Sequence, residues 1–183
     1  MAVVSSASEG LRLVSPSPLR REGWGEELKP VPTVLQLRAP GLSIATLERE
    51  ANELVNAATV PVLISSRCDV VLASGAAGVN LPESDIAPAD ARTLLGRNLV
   101  GRSVHSIQSA QQAERDGADF VIFGPVWDSP SHPGSTPAGV AALELVARSV
   151  NIPVLAIGGV TEERIAECHA AGAAGYAAIG MFK

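Results

Sequence analysis

The sequence predicts the α/β class, folded as a (β/α)8 TIM barrel, and three observations lead there. First, two short apolar runs stop at glycine near the end of the sequence: PVLAIGGVT over 153–161 and GYAAIG over 175–180, with one helix-length segment, Glu162 to Ala171, between them. A parallel strand covered by helices on both faces reads as such a run. Second, strand-like and helix-like stretches alternate without a break from Pro32 onward, the pattern of one parallel α/β domain. Third, counting from Leu11 gives eight strands. An open doubly wound sheet is the alternative. Two glycine-ended strands in succession favour the barrel, whose loops after strands seven and eight commonly hold a phosphate.

Taken in order, residues 1–30 are atypical: Pro16, Pro18, Gly23, Trp24 and Gly25 break any periodicity. Leu11 to Val14 is the expected first strand and Arg21 to Lys29 a shortened first helix, ahead of a barrel domain over 31–183. Thr33 to Leu37 reads as a strand; Ser43 then caps a helix with Leu47, Leu54 and Val55 on one face. Val60 to Ile64 is a strand and Cys68 to Ala73 a helix ending at Gly75. Gly78 to Leu81, Leu99 to Val104 and Phe120 to Phe123 are strands, separated by helices at Ala89 to Leu95 and Ile107 to Asp116. A long loop, Gly124 to Gly139, leads to a helix at Ala141 to Val150 and the strand at Pro153. The last strand is Tyr176 to Ile179, with no final helix expected after it. The echoes SGAAGV, DGADFV and AGAAGY each mark a helix ending at glycine before a strand.

The composition supports a Val/Leu/Ile/Ala core: 46% of the 183 residues are hydrophobic but only 3% aromatic. That length is short for this barrel, which typically needs about 200 residues or more. A net charge of −5 without a Lys/Arg cluster argues against a nucleic-acid partner. No apolar run reaches the roughly 18 residues of a membrane span. Two cysteines, Cys68 and Cys168, make no disulfide framework, so a cytoplasmic location is expected.

Several segments together resemble one family, thiamine phosphate synthase and its relative the thiazole tautomerase TenI. They are QLR at 36–38, the Arg67-Cys68-Asp69 turn, GVNLPESD at 78–85, GRSVHS at 101–106, GADFVIFGPVWDSPSHPG at 117–134 and the run 153–180. The resemblance implies the barrel, a thiazole phosphate ligand and a place in making thiamine. In the synthase, it implies an Arg and a Lys after strand two, an Asn-Asp pair after strand three, an Asp after strand four and a Thr-x-Thr-Lys loop after strand six. These hold a pyrimidine pyrophosphate and Mg²⁺. Here Arg38 and Asp85 match, but Pro40 stands at the Lys position, Ser65-Ser66 replace Asn-Asp, and His132 replaces the loop Lys. Mg²⁺ prefers hard carboxylate oxygens, and pyrophosphate needs countercharge. These losses therefore favour a metal-free, cofactor-free tautomerase. The alternatives are the synthase, with Asp85 as its Mg²⁺ ligand, and a non-catalytic thiazole or thiamine phosphate binder.

The candidate residues follow. His105 ends strand five on the face where barrel chemistry occurs, and an imidazole there is the candidate proton carrier. Ser103 shares its strand face. Gly158, Gly159, Gly180 and Met181 offer backbone amides to phosphate, and Gly124 allows close backbone approach. Arg38 and Arg67 are the candidate cations for carboxylate or phosphate, with a local salt bridge to Asp69 as the plain alternative for Arg67. His132 sits in a lid-length loop, whereas His169 and both cysteines read as structural. A barrel without its last helix exposes apolar surface, and a homodimer partner is the expected cover.

Overall fold

In the computed structural model, residues 1–14, 31–129, 134 and 136–182 are described. Eight parallel strands run in sequence order, β1 (Ala2–Val4), β2 (Leu35–Leu37), β3 (Val62–Ser65), β4 (Gly78–Leu81), β5 (Leu99–Val104), β6 (Phe120–Phe123), β7 (Val154–Ile157) and β8 (Gly175–Ala177). A parallel bridge between Ala2 and Ala178 closes the ring. Two backbone bonds sew that seam, Val3 N–H to the Ala178 carbonyl at 3.0 Å and Ala178 N–H to the Met1 carbonyl at 3.1 Å. The helices are α1 (Ala7–Val14), α2 (Ile44–Ala57), α3 (Cys68–Ser74), α4 (Pro88–Leu95), α5 (Ile107–Arg115), α6 (Val140–Ser149) and α7 (Ile165–Ala170), the last entered through a 3₁₀ turn at Glu162–Arg164. The fold is the (β/α)8 TIM barrel, and no helix follows β8 among the described residues.

The strands are three to six residues long, and alternate side chains face opposite layers. Outward residues pack under the helices in two shells. One gathers Leu35, Leu37, Leu54, Ile64, Val71 and Val79; the other gathers Val104, Val121, Phe123, Leu143, Val146 and Val154. Inward residues fill the barrel: Met1, Val3, Leu63, Ile122 and Ala177, with Phe120, Leu155 and Ile157 against them. The helix starts are locally encoded. The Ser43 hydroxyl accepts from Thr46 N–H, and Ser106 and Ser109 form a reciprocal capping box on α5.

The N-terminus corrects the sequence reading. The first strand is Ala2–Val4, and Leu11 to Val14 lies in α1. The physical reason lies in Ser6 and Glu9. Ser6 Oγ accepts from Glu9 N–H at 3.2 Å, and the Glu9 carboxylate takes Ser5 N–H at 2.7 Å, so the chain turns helical directly after β1. Gly10 then faces α2, where a Cβ would sit 2.7 Å from Leu54 Cδ1. The segment 1–14 is thus barrel structure, while the helix expected at Arg21 to Lys29 lies outside the described residues. No helix is long and apolar enough to cross a membrane among those described.

Candidate functional site

The C-terminal ends of the strands open into a cavity of about 860 Å³, within the size range of small-molecule sites. Its inner wall has two unlike halves. On β2 to β5 the inward residues nearest the mouth are polar, Gln36, Ser65, Asn80 and Ser103; on β6 to β8 and β1 they are Ile122, Ile157, Ala177 and Val3. The polar half is wired in pairs. Gln36 Nε2 donates to Ser65 Oγ at 2.6 Å and Asn80 Nδ2 to Ser103 Oγ at 3.1 Å. Ser65 and Asn80 are direct register partners on adjacent strands.

Of the residues expected from sequence, Arg38, Ser103, His105, Gly124, Gly158, Gly159, Gly180 and Met181 all line this one cavity. Arg38 stands exposed at the end of β2. It has no ion pair among the described residues. The His105 ring sits against the Gly124 carbonyl through Nδ1. A carbonyl only accepts, so Nδ1 carries the hydrogen and Nε2 is left as an acceptor. Arg102 ties down the loop after β4, donating to the carbonyls of Glu83 at 2.7 Å and Ile86 at 2.6 Å. This holds Glu83 at the cavity rim.

The glycine turn after β7 is joined to the loop after β6. Val126 N–H donates to the Ile157 carbonyl at 2.9 Å and Trp127 N–H to the Gly158 carbonyl at 3.0 Å. Arg164 completes the joint, bonding the Gly159 carbonyl at 2.7 Å while its guanidinium lies 5.0 Å from the Trp127 ring centre. Gly158 and Gly159 have φ of +91° and +66°. Their carbonyls are thus engaged by the loop and Arg164. Among the described residues, their N–H groups and those of Gly180 and Met181 take no backbone acceptor in turns or loops. Such N–H groups at a strand end suit an anion.

Two expected residues fall elsewhere. Arg67 does not line the cavity; its guanidinium pairs with Asp69 on its own turn, with Nε–Oδ1 at 2.8 Å. That partner raises the Arg67 pKa and lowers that of Asp69. The pair is half exposed and of little energetic weight. Arg67→Ala is accordingly expected to change phosphate affinity less than about twofold by calorimetry; a tenfold loss would return Arg67 to the site. Asp85 also stays off the cavity wall, where its Oδ1 accepts from Ile86 N–H at 2.8 Å. His132 lies outside the described residues. Burial pushes both thiols, Cys68 and Cys168, above their ordinary range, consistent with packing residues.

Gln36 and Asn80 are cavity-lining positions that sequence reasoning did not single out, and Ser65 was noted there only as a lost ligand position. The signal was present in QLR and GVNL, where a polar side chain interrupts an otherwise apolar buried strand.

Known proteins share both the sequence and the fold. A thiamine-phosphate synthase of Chloroflexus aurantiacus is 38% identical over 151 residues, covering 80% of this chain and 70% of the relative. One from Roseiflexus castenholzii is 40% identical over 151 residues, covering 79% and 66%. The structure of thiamine phosphate pyrophosphorylase from Pyrococcus furiosus matches with a TM-score of 0.81 at 25% identity, covering 100% of this chain and 87% of its own. These relatives correct the expectation of a tautomerase: the names they carry are those of the synthase. The sequence reading gave a few substitutions, Pro40, Ser65-Ser66 and His132, more weight than similarity spread along the chain. With that reaction goes the proton-carrying role assigned to His105. The family model described as thiamine monophosphate synthase matches residues 22–182, and the chain belongs to that family.

Proposed function

We propose that the chain is a transferase of the thiamine-phosphate synthase type, joining a pyrimidine pyrophosphate to a thiazole phosphate with release of pyrophosphate. The observation that carries this is the 38–40% identity to synthases over most of the chain. The cavity supports it. A thiazole phosphate would anchor its phosphate on the N–H groups of Gly158, Gly159, Gly180 and Met181, while Arg38 would meet the pyrophosphate. A new bond then forms between thiazole and pyrimidine as the C–O bond to pyrophosphate breaks, and the leaving group carries away the electron pair. One cavity of this size would hold both rings side by side. Ser103 and His105 Nε2 line the same space and orient the substrates.

The family resemblance implies Mg²⁺ for this reaction, and the carboxylates at the cavity are not the ones it implies: Glu83 and Asp128 line it. The end of β3 offers Ser65 and Ser66 in place of a carboxylate, and Asp85 lies off the cavity. No group of three or more His, Cys, Asp or Glu side chains converges among the described residues.

The test is direct. Purified protein is given pyrimidine pyrophosphate and thiazole phosphate, separately and together, with and without added Mg²⁺, and pyrophosphate release is followed. Release that needs both substrates is expected. No release in any arm would overturn the transferase reading.

A further inference from the structure

We infer that Arg164 is a positioning residue: it aims the backbone amides of the turn after β7 and ties them to the loop after β6. The inference rests on the phosphate anchor of the proposed function. Three consecutive peptide units make up the turn. In a planar trans unit the N–H points opposite to the carbonyl, so whatever holds the carbonyl aims the amide. Val126 N–H holds the Ile157 carbonyl at 2.9 Å and thereby aims Gly158 N–H. Trp127 N–H holds the Gly158 carbonyl at 3.0 Å and aims Gly159 N–H. Among the described residues, no loop backbone N–H serves the third unit. There Arg164 Nη1 holds the Gly159 carbonyl at 2.7 Å and aims Val160 N–H. Gly158, Gly159, Val160 and Arg164 all line the cavity.

Arg164 also grips the other side of the joint. Its guanidinium lies 5.0 Å from the Trp127 ring centre, within range of a cation–π contact. Trp127 is the residue whose own N–H holds the Gly158 carbonyl. One side chain therefore fixes the turn through a carbonyl and the loop through a ring. The base of that loop is closed on the same residues: the Pro125 carbonyl takes Ala138 N–H at 2.8 Å and the Val126 carbonyl takes Gly139 N–H at 3.0 Å. Arg164 is itself held by its N–H, which bonds the Thr161 carbonyl at 3.1 Å. Glycine units are conformationally permissive, so amides at Gly158 and Gly159 hold one direction only when their carbonyls are held. Amides aimed in advance spare the ligand the cost of ordering them. Lysine reproduces this only in part, since an ammonium donates a hydrogen bond but has no flat face to lie over a ring.

The experiment follows the backbone amides of the isotope-labelled full chain by NMR during titration with thiazole phosphate. In the wild type, the Gly158, Gly159 and Val160 signals are expected to move with ligand. Arg164→Met keeps an apolar stem beside Trp127 but has neither donor nor charge. It should weaken thiazole phosphate binding about tenfold, and its Val160 and Trp127 amides should already be displaced before ligand is added. Arg164→Lys should recover part of the affinity. Trp127→Leu removes the ring but not the backbone bond; it should displace the Val160 amide as well, and it serves if Arg164→Met fails to fold. Unchanged affinity in folded Arg164→Met, or an unmoved Val160 amide in Trp127→Leu, would overturn the role. So would weaker binding in Arg164→Met with Val160 and Trp127 unmoved in the free protein, the mark of direct contact between Arg164 and phosphate. The underlying readings fail separately. Thiazole phosphate that binds the wild type without moving Gly158, Gly159 or Val160 sinks the phosphate anchor and the role of Arg164 with it. The expected shifts without pyrophosphate release sink the transferase reading alone.

Discussion

Replacing Gly159 by valine is expected to lower the melting temperature by about 5–15 °C, because the turn after β7 is closed to any side chain. At φ +66° a β-branched residue is a steric outlier. A Cβ there would lie 2.5 Å from the Asp128 carbonyl oxygen and 2.7 Å from Trp127 Cβ. Backbone strain costs about 1–3 kcal/mol and overpacking about 1–3 kcal/mol more. The loop after β6 would be pushed off the turn, with loss of the bond from Trp127 N–H to the Gly158 carbonyl. Thermal unfolding followed by circular dichroism reads this directly. An unchanged transition would mean that the loop and the turn are not joined.

Gly180→Asp should do the opposite, leaving stability unchanged while removing phosphate binding. No atom lies within 4 Å of a Cβ built at Gly180, and its φ is outside the left-handed region. Gly180 lines the cavity, so the new carboxylate would stand where the thiazole phosphate is proposed to sit. Two unit charges at 4 Å interact by about 4 kcal/mol near a protein surface, and screening reduces this. A loss of roughly 2–3 kcal/mol, on the order of a hundredfold in Kd, is expected. Gly180→Asn, with the same shape and no charge, should lose far less. Calorimetric titration of the thiazole phosphate distinguishes the two. Equal affinity in Gly180→Asp and the wild type, with both folded, would move the phosphate away from β8.

What the sequence disclosed depended on how local each signal was. Gly78–Leu81, Leu99–Val104 and Phe120–Phe123 were legible to the residue, since each is a short stretch with apolar ends or centre bounded by turn residues. The first strand was misplaced because Ala2–Val4 is only three residues long and LRLV reads as a strand until the Ser6–Glu9 cap is noticed. At the site, the glycine turns were visible as punctuation. Arg67 showed that charge can be read and direction cannot: one residue of turn geometry sends its guanidinium to Asp69 instead of the cavity. That Gln36, Ser65, Asn80 and Ser103 form one polar layer escaped, because the layer exists only when four strands lie side by side. The reaction was misjudged for a related reason. Loss of a carboxylate at Ser65-Ser66 was legible, but which groups neighbouring strands bring to the same wall was not.

The seam between β8 and β1 bears on how the protein assembles. Its contacts join residues about as far apart in sequence as the chain allows, Met1 bonding Tyr176 across 175 positions. The entropy of closing so long a loop must be met before the contact returns anything. All other strand pairs join neighbours in sequence order. Pairing of the sequence-adjacent strands is therefore expected to precede ring closure. The Asn80–Ser103 pair on β4 and β5 needs no such closure, whereas the end of β8 at Ala178 meets β1 only once the ring is shut. The cavity mouth is therefore complete only in the fully closed protein.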